Sequence, residues 1–240
     1  MIQESAATTR KNDRTWWRCL RNVPKSYTMA EDRKPLVSLI YPELHEQAAI
    51  ALGRAFIDDP MFKPLVPQIT DPVRRAAVLR DLFRAMFAVE RRTGQPTFGV
   101  ICDGKVVAAA VTEGVGHPST VDVTMAGLGQ FPRLVRALGW GGIQRALTLF
   151  RILSSNHPHE PHLYLQALGV DPDYQKRHFG VVLLEHLREQ AESRPDVAGV
   201  YLETATEANV AYYSARGYQV IGELNPLGVR TWRMFQRVRG

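Results

Sequence analysis

The residues best suited to do chemistry lie in one run, residues 162–184. An apolar block at 163–170 ends at Asp171-Pro172 and reads as a buried strand. Apolar residues then recur at Val181, Leu184, Leu187 and Ala191, the spacing of a helix packed on a core. Between strand and helix lies the turn Gln175, Lys176, Arg177, His178, Phe179, Gly180. A strand feeding a helix through such a turn aims backbone N–H groups and the positive helix end at one point, which suits a phosphate. The basic Lys176 and His178 would lend charge there. A second cluster, His157, His159 and His162, is interrupted by Pro158 and Pro161, which break the regular geometry a metal site would use. No metal is expected.

These residues need a scaffold, and the rest of the chain supplies one. A short strand at 36–41 is closed by Pro42, and a helix follows with Leu44, Ala48, Leu52, Ala55 and Phe56 on one face. Asp71-Pro72 caps a second helix with Val78, Leu82, Phe83, Met86 and Val89 as its expected buried stripe and an arginine-rich outer face. Strands at 97–102 and 105–112 are joined by Asp103-Gly104, a strong hairpin signal. The second carries small apolar residues throughout and is expected in the middle of a sheet. Residues 113–161 leave this pattern. Helices at 131–138 and 143–153, interrupted at 139–142, read either as a substrate flap or as a lid that only covers the core. After the central strand, turn and helix come a strand at 200–204, a helix at 207–216 and strands at 218–222 and 231–238. The expected order is β-α-α-β-β-(helical insertion)-β-α-β-α-β-β, an α/β fold with a mixed sheet.

The chain of 240 residues carries a formal charge of +6. Residues 1–34 hold eight basic residues against Glu4, Asp13, Glu31 and Asp32, a net +4, so the remainder carries only +2. The basicity belongs to the N-terminal extension, expected to be disordered, and not to the domain at 35–240. Its Trp16-Trp17 pair leaves open an arm that stacks on nucleic acid, the weakest of the functional readings. Met29-Ala30-Glu31-Asp32 also reads as a start, which would place residues 1–28 outside the native protein. No segment approaches the roughly 18–20 apolar residues of a membrane span, and no secretory signal is visible. Cys19 and Cys102 form neither a disulfide framework nor a metal spacing. A cytoplasmic protein without a membrane partner is expected.

The 175–180 turn resembles motif A of the GNAT superfamily of N-acetyltransferases, in which Gln/Arg-x-x-Gly-x-Gly/Ala cradles the pyrophosphate of acetyl-CoA. Gln175 and Gly180 fit, and His178 stands at the first Gly. The run Asn209-Val210-Ala211-Tyr212-Tyr213-Ser214-Ala215-Arg216-Gly217-Tyr218 is similar to the Asn-x-x-(Phe/Tyr)-Tyr-x-x-x-Gly-(Phe/Tyr) signature that follows the fifth strand of these enzymes. Residues 157–172, with Leu202-Glu203-Thr204 and Arg230-Thr231-Trp232, resemble the puromycin N-acetyltransferase-like branch, whose members acetylate small amines.

The resemblance implies an acetyl-CoA-dependent enzyme acting on a small-molecule amine by direct transfer, with a homodimer left open. It places the coenzyme against the backbone of Leu168, Gly169 and Val170, the turn Gln175, Lys176, Arg177, His178, Phe179 and Gly180, and Asn209. It makes Tyr213 the acid for the coenzyme sulfur. Tyr212 points about 100° away on a helix and cannot serve the same atom. Packing is the other reading of both tyrosines. The strand at 163–170 holds no carboxylate, only Gln166 and the phenol of Tyr164 as polar groups. Glu203, ending the next strand, is the candidate base, directly or through water, and a cap for the following helix is its other reading. A non-glycine residue can take helical backbone angles at a helix N-terminus, leaving the amides available, yet the His178 side chain would crowd the pyrophosphate. A degenerate GNAT fold used for binding or regulation is the alternative.

Overall fold

The computed structural model describes residues 37–114 and 120–238, and in 120–127 the backbone only. The N-terminal extension lies outside them. One seven-stranded mixed sheet organises the domain, ordered β1-β2-β3-β4-β5-β7-β6. In chain order the strands are β1 (Val37–Leu39), β2 (Thr97–Cys102), β3 (Lys105–Glu113), β4 (His162–Val170), β5 (Gly199–Thr204), β6 (Gln219–Leu224) and β7 (Thr231–Arg237). The helices are α1 (His45–Ala55), α2 (Pro72–Thr93), α3 (Thr120–Ser154), α4 (Phe179–Glu192) and α5 (Glu207–Ser214). This is the α/β architecture and element order that the sequence patterns predict.

Composition explains the layers. The small residues of β3, Val106 to Val111, are fully buried because helices cover both faces of this strand. On one face Val107, Ala108 and Ala110 join Leu183 and Leu187 of α4. On the other, Val106, Ala109 and Val111 join Leu52 of α1 and Phe83 and Phe87 of α2. Asp103 and Gly104 both take positive φ, the primed hairpin turn their types favour.

Two expectations shift. The buried stripe of α2 runs through Val78, Leu79, Phe83, Phe87 and Glu90, whereas Leu82, Met86 and Val89 are only half-buried. A 3.6-residue period leaves the exact centre of an apolar stripe undetermined by one position, and contact with α1 chooses it. The insertion is two helices meeting at a kink, as the pattern predicts, but the interruption is the single non-helical residue Gly139 (φ 66°, ψ 169°) and not the four residues 139–142. Its inner side packs Leu138 and Ile143 on Val66, Ile69 and Val78.

Candidate active site

β4 builds the site by an irregularity. Val111 pairs with Ala167 and Thr112 with Leu165, so Gln166 is an extra residue, a bulge. Strand side chains alternate, so the bulge puts Leu165 on the α4 face and Ala167 on the α1 face. The same region parts from its other neighbour. β4 pairs in parallel with β5 only from His162 to Leu165. From Gln166 to Val170 its β5-facing edge has no strand partner among the described residues. A cleft of about 540 Å³ lies there, lined by Leu168, Gly169 and Val170, by Gln175, Lys176, His178, Phe179, Gly180 and Val181, and by Asn209, Tyr212, Tyr213 and Arg216.

The turn into α4 is fixed from below. Asp171 is fully buried at the end of β4 and accepts two hydrogen bonds from Nη1 of Arg54 at 2.9 Å, one to each oxygen. The same nitrogen donates to Asp173 at 3.0 Å, which holds that carboxyl below its ordinary range. After the 3-10 turn Pro172–Tyr174, Lys176 (φ 61°) and His178 (φ 64°, ψ 8°) are left-handed. His178 therefore does not take the expected helical angles. The chain must reverse sharply between the 3-10 turn and α4, and this is the conformation a glycine supplies freely; histidine is among the side chains that tolerate it. The first intrahelical bond of α4 runs from Val182 N–H to the His178 carbonyl. The N–H groups of 179–181 thus have no partner within the helix and sit beside the cleft. Gly180 permits this closeness, because a Cβ there would lie 3.0 Å from the Tyr212 hydroxyl.

Most of the expected coenzyme residues converge on this cleft. Two residues stand elsewhere. The Arg177 guanidinium packs on the Tyr174 ring at 5.1 Å, and Arg177 is not among the cleft-lining residues. Glu203 also lies outside the lining, on the sheet face away from α4. It does not cap the following helix, whose N-cap is Thr206, accepting from the Asn209 amide at 3.2 Å. Instead it accepts a hydrogen bond from the Tyr201 hydroxyl at 2.8 Å. Burial raises the Glu203 carboxyl to about 7, against the opposing effects of the Tyr201 and Tyr164 phenols and Arg233. The His157 ring meets Tyr164 edge to face (4.4 Å) and Tyr201 at a tilt (5.0 Å), and its Nδ1 lies 3.3 Å from Nε2 of His162. Among the described residues no group of three metal-ligating side chains occurs.

Tyr213 is buried in the core cluster and also lines the cleft. Burial, then Tyr212 and Asp59, push its phenol well up, and it stays protonated at neutral pH. Asp59 and Arg216 are cleft residues that the sequence reading missed as site residues. Asp59 stood in the punctuation after α1; it is raised by burial and accepts from the Met61 amide at 2.8 Å. Arg216 sat inside the tyrosine signature, and its guanidinium lies 3.6 Å over the Tyr212 ring. Only the fold brings α1 and the end of α5 to one opening.

A strand edge without a strand partner among the described residues, a helix N-terminus and a protonated phenol meet around one cleft. The Acetyltransferase (GNAT) family profile matches residues 66–218, and the chain belongs to that family. It is an N-acetyltransferase, and the family uses acetyl-CoA or another acyl-CoA. Among solved structures, it is similar to a histone acetyltransferase HPA2 and related acetyltransferase from Corynebacterium glutamicum (TM-score 0.61, 21% identity, 85% of this chain and 97% of that one). A GCN5-related N-acetyltransferase from Rhodopseudomonas palustris matches with TM-score 0.51 and 16% identity, over 85% and 96% of the two chains. The GNAT-like decarboxylase GphF in complex with isobutyryl-CoA matches with TM-score 0.50 and 14% identity, over 85% and 100%. These likenesses speak to the fold.

Proposed function

We propose that this chain transfers acetyl directly from acetyl-CoA to the amine of a small molecule. The observation that carries this reading is the meeting of the open β4 edge, the α4 N-terminus and Tyr213 around one cleft. The backbone of Leu168 to Val170 would pair with the amide-bearing arm of the coenzyme as an added strand. The amides of 176–180, with Lys176 and Arg216 beside them, would hold its phosphates, and Asn209 would line the same channel. Bound acetyl-CoA supplies an activated acetyl thioester. Glu203, poised near neutrality, takes the proton from the incoming amine, directly or through water. Tyr213 gives its proton to the departing sulfur.

The left-handed His178 supports coenzyme binding, because it keeps the backbone that a glycine would have at this position. It weighs against the degenerate, non-catalytic reading. The resemblance to puromycin-type enzymes supports a small-molecule acceptor. The insertion at 113–161 is read as the flap on the acceptor side, since α3 leads to His157, whose ring packs against Tyr164 and Tyr201 beside Glu203.

Calorimetric titration with acetyl-CoA, followed by turnover of simple primary amines, tests the proposal. Binding and thermal stabilisation are expected, with Tyr213→Phe keeping affinity but losing about 10²-fold in kcat. No heat and no stabilisation at about millimolar coenzyme would overturn it.

A further inference from the structure

α3 carries an apolar surface that the rest of the fold leaves uncovered. Leu128, Phe131, Trp140, Leu147 and Phe150 are between 38% and 65% exposed. Trp140 and Leu147, seven residues apart, lie on one line of a helix, and Phe150 and Arg151 follow within the next turn. Phe131 and Trp140 touch edge to face at 5.6 Å, joining the two halves of α3 across the Gly139 kink. Exposed Gln144 lies between Trp140 and Leu147 on this line, so the face is amphipathic, and exposed apolar side chains grouped in this way on one helix mark an interaction site.

Charge identifies the occupant. Residues 123–159 contain four arginines and no aspartate or glutamate. Arg133, Arg136 and Arg151 are exposed, and Arg133 donates to Gln130 at 3.1 Å. A second copy using this surface would set arginines against arginines with no acid from 123–159 to pair them. A nucleic acid would satisfy the arginines and leave Leu147 and Phe150 wet. An anionic lipid surface takes both: apolar side chains enter the headgroup boundary, the indole sits at the interface, and guanidinium groups meet lipid phosphates. We infer that α3 seats this enzyme on anionic membrane surfaces. This is a surface contact, not a span; among the described residues no helix is long and apolar enough to cross a membrane.

Co-sedimentation of the full chain with phosphatidylcholine vesicles, with and without phosphatidylglycerol, tests it. The chain partitions onto the anionic vesicles only, with a blue shift of tryptophan emission and a loss of binding as salt rises. The triple variant Trp140→Gln/Leu147→Gln/Phe150→Gln lowers partition by about tenfold or more, with unchanged circular dichroism. Arg136→Glu/Arg151→Glu lowers it as well, and decides the matter should the triple variant not fold. Absence of partition overturns the inference, as does partition that both variants leave unchanged, which would assign it to the basic N-terminal residues. A dimer in sedimentation velocity that the triple variant splits overturns it in favour of a second copy.

Discussion

Burial acts in the same direction on Glu203 and Tyr213, to which the proposed mechanism gives opposite tasks. It lifts a carboxyl to about 7, where it can take a proton, and keeps a phenol protonated so that it can give one. The rate should therefore rise with pH to an inflection near 7 in kcat/KM as Glu203 ionises. Glu203→Gln should remove that inflection and lower kcat/KM by about 10²-fold, and a pH–rate series on both proteins measures it. His178 is a residue-scale compromise of another sort. A left-handed non-glycine residue costs about 1–2 kcal/mol, part of which returns through its stiffer unfolded chain. His178→Gly should raise stability by roughly 0.5–1 kcal/mol in urea melts, with acetyl-CoA affinity at least retained.

At the scale of elements, α1 and β4 are locked together to hold the turn. Gly169 lets them approach, since a Cβ there would come within 2.8 Å of Leu52 and 2.9 Å of Ala55. Arg54 on α1 then closes on the buried Asp171, with the Lys105 ammonium farther off at 3.8 Å. Removing Arg54 leaves the buried Asp171 carboxylate to the more distant Lys105 and the Asp173 amide. Arg54→Met should cost about 3 kcal/mol in denaturant unfolding. It should also weaken acetyl-CoA in calorimetry, because the phosphate turn loses its anchor.

For the whole molecule, buried carboxyls set the response to pH. Burial raises Glu90 to about 8 and Glu203 to about 7 from an ordinary 4.5. Each binds its proton more tightly folded than unfolded, so each contributes stability in full below its unfolded value and loses it as pH rises through its folded one. Tm should accordingly fall between about pH 5 and 9, by an amount equivalent to a few kcal/mol. Glu90→Gln should flatten the upper part of that decline, with scanning calorimetry as the readout.

The sequence by itself determined the element order, the hairpin at Asp103-Gly104, the strand–turn–helix that runs from β4 into α4 and the helix that carries Asn209 and Tyr213. These rest on local chemistry: side-chain period, proline and glycine punctuation, and short motifs. Tertiary structure alone decided the rest. The Gln166 bulge and the parting of β4 from β5 depend on pairing between strands remote in sequence, so no local pattern announces the cleft. Asp59 and Arg216 reach that cleft from opposite ends of the domain, and Glu203 acquires its near-neutral carboxyl from burial, against which the Tyr201 and Tyr164 phenols pull. Even His178, conspicuous in the sequence, shows its left-handed backbone only where the turn is anchored, because φ is chosen by the path the chain must follow and not by the residue alone.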